Sequence, residues 1–551
     1  MRDQVMHMKM KLPVGISNYR ELRSEKYYAV DKTLMIQEFL EHGSKVTLVT
    51  RPRRFGKTLN LSMMAEFFDI TKDSNEIFKG TKIMDTEYAK EMNQYPVIFL
   101  SFLNAKGDEG NVIKYIKKVI SREYERYIFI LEKLDVRRQK QYVRLFDHFD
   151  NTSELSLRNV NDAISFLTRC LYEYYDKKVM VYIDEYDTPF IEAHLHGFYD
   201  SIHVDLATLL RTVLKGNDAM QYGFLTGIQR VAKESVFSDL NNIEVCSVKD
   251  ENYAEYFGFT KEETEELLAY YGREYNQDVK EMYDGYNIGG IDIYNPWSIL
   301  EYAKHERLEP YWVNTSSNTM IKNAMDKAEA GFNEDYEYLI EHSTVDVVVN
   351  FKTSFYEQAD DASLWGLLVN AGYLTVECEV DIYDSRYRLR IPNGEVRNEF
   401  KNLVAYHLQI SPSDLIAIRN AFKEQDLDEF LKVYQRILLQ DSSYFDLVNE
   451  NSYHMLMLGI CLYVKPDYEV ISNREEGEGR CDLILKAKKT ELASYVLEFK
   501  YGKNENQLEA DAHMAVDQIR EKGYDRDLSG KIIHIGLAHF GKRVKMVWVE
   551  R

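Results

Sequence analysis

The chain has 551 residues and is short of three things: paired cysteines, long apolar runs and positive charge. Its five cysteines, Cys170, Cys246, Cys378, Cys461 and Cys481, are widely spread and form no C-x-x-C pair. That pattern suggests neither a zinc framework nor a disulfide scaffold, and it fits reduced thiols in a cytoplasmic protein. Met1 to Lys11 lacks the apolar stretch of a signal peptide. No apolar run approaches the roughly 20 residues that a membrane helix needs, so no membrane partner is expected. The formal net charge is -21, which argues against binding nucleic acid over a whole basic surface but leaves room for a local basic groove. There is no low-complexity tract and no convincing internal repeat.

What is present is a hydrophobic content of 45% in a length that predicts two or three domains. The first part alternates apolar strands with helical patterns. The candidate strands are Lys45–Thr50, Pro96–Phe102, Lys178–Asp184, Tyr222–Thr226 and Ile243–Val248, with helices such as Lys57–Ile70 and Val160–Tyr175 between them. Near-continuous apolar strands alternating with helices indicate a mostly parallel sheet covered on both faces. From about Asn252 to Gln440 helical patterns dominate, broken by the aromatic segment Met282–Tyr286 and "IYNPWSIL". This stretch reads as a packing and lid module without chemistry of its own. From about Asp441 a helix, two strands, a second helix and another strand make a compact α/β unit. The expected domains are therefore 1–251, 252–440 and 441–551.

The first constellation is "TRPRRFGKTLN", Thr50 to Asn60, at the carboxyl end of the first strand. Ligands of open α/β sheets sit there. Gly56-Lys57-Thr58 opens a helix whose amino terminus favours an anion. Lys57 would neutralise terminal phosphates and the Thr58 hydroxyl would hold Mg²⁺. The pattern G-x-x-x-x-G-K-[ST] asks for glycine where Arg51 stands. Arg51, Arg53 and Arg54 read either as solvated charges or as further contacts to phosphate or an acidic partner. "KVMVYIDEYD" then ends a strand in Asp184 and Glu185. Asp184 would bind Mg²⁺ through water, and Glu185 would orient or deprotonate a hydrolytic water. Alone, the pair would be a solvated strand end opening a turn; Lys57 and Thr58 upstream favour an ATP site. The next strand ends in Thr226, placed to sense the γ-phosphate, followed by Arg230, placed to touch it or a neighbouring element. "YYAVDKTLMIQEFL", "TRPRRFGKTLNLSMMAEFF", "YIDEYDTP" and "LTGIQRVAKESVFSDLNN" together resemble the bacterial AAA-ATPase-like proteins of the P-loop class over roughly the first 250 residues. The resemblance implies that "RPRRFGK[ST]" is the phosphate loop and assigns Arg54, Gly56, Lys57 and Thr58 to it.

The second constellation is "GRCDLILKAKKTELASYVLEFK". A hairpin centred near Thr490 sets Asp482 across from Glu498. Glu498 and Lys500 share one face, while Tyr495, Leu497 and Phe499 line the other. Oxygen ligands of this kind suit Mg²⁺ or Mn²⁺, and Lys500 would position water or stabilise charge on phosphorus. Gln518 follows on the next helix, and Arg480 sits beside Asp482 as a phosphate contact. Glu450, Tyr453 and His454 share a helical face, either catalytic or packed on the sheet. Glu498-x-Lys500 alone would read as an exposed amphipathic hairpin. "GEGRCDLIL", "YVLEFKYG" and "AVDQIREKGY" resemble the PD-(D/E)XK nuclease superfamily, in the version fused to AAA-ATPase-like domains. The superfamily's proline is replaced by Cys481. The resemblance implies a restriction-endonuclease-like domain with metal-dependent nuclease chemistry, acting in defence against foreign DNA.

Three functions are open at this stage. The first is an ATP-regulated, Mg²⁺-dependent nuclease acting on DNA, engaged with help from a protein partner or a homo-oligomer. The second is a slow ATP-dependent switch or interaction module whose C-terminal domain binds nucleic acid without cutting. The third, an ATPase that remodels proteins, lacks a clear arginine finger.

Overall fold

The computed structural model describes residues 9–150, 156–231, 243–312, 319–325, 342–351, 360–407, 410–440, 450–461, 463–476 and 479–551, with Phe332, Asp335, Tyr336, Tyr338 and Leu339. Two compact units result: Met1–Glu329 with Asp346–Val396, and Ala330–Val345 with Arg397–Arg551. The expected middle module, 252–440, is shared between them. Among the described residues no helix is long and apolar enough to cross a membrane.

In the first unit β1 (Val46–Thr50), β2 (Val97–Ser101), β3 (Val179–Asp184), β4 (Met220–Gly227) and β5 (Ile243–Cys246) make one sheet in the order β2-β3-β4-β1-β5. All its pairings are parallel. Every residue of β1 and β3 is buried, as an apolar strand covered on both faces must be. The order separates β1 from β3 by β4. The tips that carry Lys57, Asp184 and Thr226 are thereby neighbours, although they are far apart in sequence.

The segments that follow add helices and short strands. Lys261–Tyr271 begins with a reciprocal cap: Thr260 accepts from the Glu263 backbone while the Glu263 side chain accepts from the Thr260 N–H. Glu263 also pairs with the buried Lys32 at 2.5 Å. Strands β6 (Tyr286–Ile288), β7 (Ile291–Ile293), β8 (Thr344–Val348), β9 (Thr375–Asp381) and β10 (Arg386–Arg390) punctuate these helices. "SLWGLLVNAGYLTV", read as helical from sequence, is a helix over Asp361–Ala371 that stops at the left-handed Gly372 and turns into β9.

The second unit carries β11 (Tyr468–Glu476), β12 (Gly479–Ala487), β13 (Ser494–Tyr501), β14 (Ile532–Phe540) and β15 (Arg543–Glu550), paired in that order. Only β13 and β14 run parallel, joined through the helix Leu508–Lys522. Tyr495, Leu497 and Phe499 point into a core filled from helices Pro412–Glu424, Leu427–Gln440 and Glu450–Cys461. Val496 packs with Ile519 on the opposite face, beneath Leu508–Lys522. Gly536 lets that helix approach. A Cβ there would lie 2.2 Å from the Ala512 carbonyl oxygen.

Candidate nucleotide and metal centres

The loop after β1 folds on its own carbonyls. Arg51 donates its backbone N–H to Gly227 at the tip of β4 (3.1 Å). Left-handed backbone falls at Arg54 (φ 70) and Gly56 (φ 80), not at Arg51. The missing first glycine therefore costs no φ strain. Arg51 is neither solvated nor a phosphate contact, correcting both readings of it. Its side chain is fully buried, and the guanidinium donates to the carbonyls of Thr50 (2.9 Å), Cys246 (3.0 Å), Ser247 (2.7 Å) and Asn252 (3.3 Å). Burial pulls its pKa down to about 10, still far above neutrality. Arg54 lies over the Trp297 ring at 4.0 Å. Burial also lowers it to about 10, against the opposing pull of Glu395 and Glu301. The neighbours are held as well: the Trp312 indole donates to the Arg53 carbonyl (3.2 Å), and the Phe55 ring meets Tyr286 edge-on at 5.0 Å.

Lys57 and Thr58 enter the helix Lys57–Phe68 after Gly56. The Lys57 ammonium is buried. It donates to the carbonyls of Arg51 and Pro52 at 3.0 Å each and lies 3.4 Å from the Glu185 carboxylate. Three hydroxyls converge on Asp184. Thr58 (2.9 Å) and Ser101 (3.1 Å) donate to Oδ2, and Thr226 (2.7 Å) donates to Oδ1. Burial, then the Glu185 charge, raises the Asp184 pKa. Sequence reasoning missed Ser101. The signal was a hydroxyl at the tip of an apolar strand, and the β2–β3 register sets it level with Asp184.

Two further residues of "DEYD" do structural work that the sequence did not disclose. Asp187 is fully buried, and its Oδ2 accepts the N–H groups of Ile228 (2.8 Å) and Gln229 (2.9 Å). The Tyr186 hydroxyl donates to the Gln229 carbonyl (2.7 Å) and accepts from the Val231 N–H (2.9 Å). The segment after Thr226 is thus fastened to the turn after Asp184. Burial, with the Glu185 charge, pushes Asp187 up to about 7.

A cavity of about 430 Å³ opens beside the loop. Its lining includes the polar Gly56, Lys57, Thr58 and Glu185 of the loop and strand tip, and the apolar Tyr28, Phe259, Trp297 and Leu300. The size suits a small ligand or cofactor. An ammonium, a hydroxyl and a buried carboxylate in the lining fit a polyphosphate and a hard cation. Arg53 and Arg54 line it, but Arg230 does not.

In the second unit the hairpin register pairs Leu483 with Leu497, which sets Asp482 level with Glu498. The paired backbone runs from Leu485 to Leu483, and just beyond it Asp482 Oδ2 accepts the Phe499 N–H (2.8 Å). Glu498 is 2% exposed. Its Oε1 accepts from Lys500 Nζ (3.3 Å) and from Gln518 Nε2, and the Gln518 amide also reaches the Tyr524 hydroxyl (3.4 Å). Glu498 Oε2 is buried with no partner among the described residues. Burial, then the Asp482 charge, lifts the carboxyl up to about 7, with Lys500 pulling it back. A buried anion lacking a partner on one oxygen, beside a second carboxylate, fits a divalent cation. The described residues supply no cluster of three acidic, His or Cys side chains, so two carboxylates are the protein ligands on offer.

The structure thus brings together Asp482, Glu498, Lys500 and Gln518. Tyr453 sits on the other face of the sheet, stacked on His539 at 4.0 Å with its hydroxyl donating to the Gly541 carbonyl. The side chains of Glu450, His454 and Arg480 lie outside the described residues, as do residues 232–242 of the motif that follows Arg230.

Comparison with known proteins matches two stretches of the chain. Residues 13–237 match the family described as predicted AAA-ATPase, and residues 448–549 match the PD-(D/E)XK nuclease superfamily. An uncharacterized protein from the vnfD 5′ region of Azotobacter chroococcum mcd 1 is 28% identical over 392 residues, covering 70% of this chain and 68% of the relative. The chain is a fusion of an AAA-ATPase-like domain with a C-terminal domain of the PD-(D/E)XK nuclease superfamily.

Proposed function

We propose that this protein is a divalent-metal-dependent phosphodiesterase that cuts DNA under the control of nucleotide bound to its ATPase domain. The observation that carries the reading is Glu498: a buried carboxylate with one oxygen held by Lys500 and Gln518 and the other bare beside Asp482. Asp482 and Glu498 would hold Mg²⁺ or Mn²⁺, which supplies Lewis-acid activation of water and of the phosphoryl oxygen. Lys500 places a positive charge where charge builds on phosphorus as water adds and the ester P–O bond breaks. Gln518 keeps the Glu498 carboxylate from turning. In the first unit, Lys57, Thr58, Asp184 and Thr226 would hold ATP with Mg²⁺, and Glu185 is set to orient water. The Lys57–Glu185 ion pair has to open for phosphate to reach the ammonium, so nucleotide would change what Glu185 faces.

The test incubates purified protein with Mg²⁺ or Mn²⁺ and labelled DNA and RNA, with and without ATP. Cutting that disappears in Asp482→Ala is expected. Lys57→Ala and Glu185→Gln should keep the scission chemistry and lose its response to ATP. A parent chain that binds ATP yet never cuts would move the assignment to the non-cutting switch. Placement in the cytoplasm rests on the cysteine pattern. The role in defence rests on family likeness, and phage plating on cells carrying Asp482→Ala tests it.

A further inference from the structure

Two packed helices of the acidic chain each carry a face of the opposite sign. On the helix Glu109–Arg126 the exposed cations Lys114, Lys118 and Arg122 recur every fourth residue, which sets them on one face. On the helix Val136–Asp150 the exposed Arg137, Lys140 and Arg144 recur at three and four, again on one face. The two helices are packed together. The Tyr124 ring lies 4.5 Å from Tyr142 and 5.1 Å from Phe149, and the Tyr142 hydroxyl donates to the Tyr124 carbonyl (2.5 Å).

An ordinary solvated face would look different. Cations beside these six are matched: Arg126 pairs with Asp69 and Glu123, and Arg138 with Asp135 and Glu173. The six have no ion-pair partner among the described residues, in a chain with 90 acidic against 69 basic residues. Lys114–Lys118, Lys118–Arg122 and Lys140–Arg144 are like-charge pairs at i,i+4, each mildly destabilising to its helix. Elsewhere the same spacing carries opposite charges, as in Lys261–Glu265. Glu125 and Asp147 are the exposed acids on the two helices nearest the stripes, too few to neutralise them. A row of unpaired cations that costs the helix something is suited to a polyanion, whose condensed counterions it releases.

We propose that the basic faces of these two helices of the ATPase domain bind the phosphodiester backbone of a nucleic acid. Each stripe spans about 10–12 Å of helix axis, enough to face three or four phosphates of one strand at about 3.4 Å each. Contacts of this kind position a strand without reading its sequence. The inference rests on the nuclease reading for the presence of nucleic acid, and its own measurement is binding, not cutting.

The experiment uses the full chain carrying Asp482→Ala and follows fluorescence anisotropy of labelled duplex DNA, single-stranded DNA and RNA over a salt series. Two triple variants are added to it: Lys114→Glu, Lys118→Glu, Arg122→Glu; and Arg137→Glu, Lys140→Glu, Arg144→Glu. A control carries the same charge change elsewhere, at Lys261, Lys304 and Lys432. Circular dichroism and ATP binding confirm that each variant is folded. Each surface triple should weaken binding roughly tenfold or more at about 0.1 M salt and flatten the slope of log K against log salt by about 2–3. The control should shift affinity by less than about threefold. Surface triples that match the control in affinity and slope overturn the proposal, as does a parent chain that binds none of the three nucleic acids. A parent without Asp482→Ala that never cuts, but binds through this surface, overturns the nuclease reading and leaves this one standing.

Discussion

Glu498 is both an anion and a core residue, and the two demands conflict. Burial and the Asp482 charge lift the carboxyl to about 7, so without a cation it binds its proton more tightly in the folded state than in the unfolded chain. Glu498→Gln keeps the shape and removes the charge. It should lower metal-dependent cleavage by roughly 100-fold or more while leaving the unfolding temperature level or higher. A variant that still cuts at the parental rate would remove Glu498 from the centre. Glu395 is a second carboxyl raised by burial, in the first unit. Its oxygens accept from the Trp312 N–H (2.5 Å) and the Ser298 hydroxyl (2.8 Å), yet burial raises its pKa from 4.5 to about 7. A carboxyl raised on folding binds its proton more tightly when folded, so its contribution falls as pH rises from 4.5 to about 7 and is level above. Glu395→Gln should therefore flatten the loss of melting temperature between pH 5 and pH 8. A parallel pair of pH curves would refute it. Asp482 and Glu498 were legible in sequence because a hairpin's register follows from where it turns. Arg51 was not, because two of the carbonyls it meets lie 195 and 196 positions away.

At the scale of elements, the five strands of the first sheet could be read from their apolar runs, and the middle segment could not. Short strands such as β6 and β7, three residues each, are below what periodicity resolves. What holds the site together is again non-local. The β4 tip is clamped by Tyr186 and Asp187, so Asp187→Asn should slow ATP turnover more than it weakens ATP binding, because Thr226 would lose its fixed position. Equal losses in both, measured by turnover and by equilibrium titration, would show general damage instead. Gly536 is a second point of close packing, in the other unit. An alanine there would push a Cβ into the Ala512 carbonyl, and overpacking of this kind costs about 1–3 kcal/mol. Chemical denaturation of Gly536→Ala should show that loss, and an unchanged midpoint would mean the helix can move aside.

For the molecule as a whole, ligand linkage supplies the most direct check of the nucleotide site. ATP at about 100 times its dissociation constant should stabilise the folded chain by about 2.7 kcal/mol, and Lys57→Ala should abolish the rise in melting temperature. A variant that still responds would place the nucleotide elsewhere. The family match covers 13–237, and composition suggested a boundary near residue 251. The pocket respects neither limit. Tyr256, Gly258, Phe259, Leu267, Pro296, Trp297 and Leu300 line it, Trp312 donates to the Arg53 carbonyl, and the Glu395 charge acts on Arg54. A recombinant fragment trimmed to residues 13–237 would carry Lys57, Thr58, Asp184, Glu185 and Thr226 and lack seven residues that line the cavity beside them.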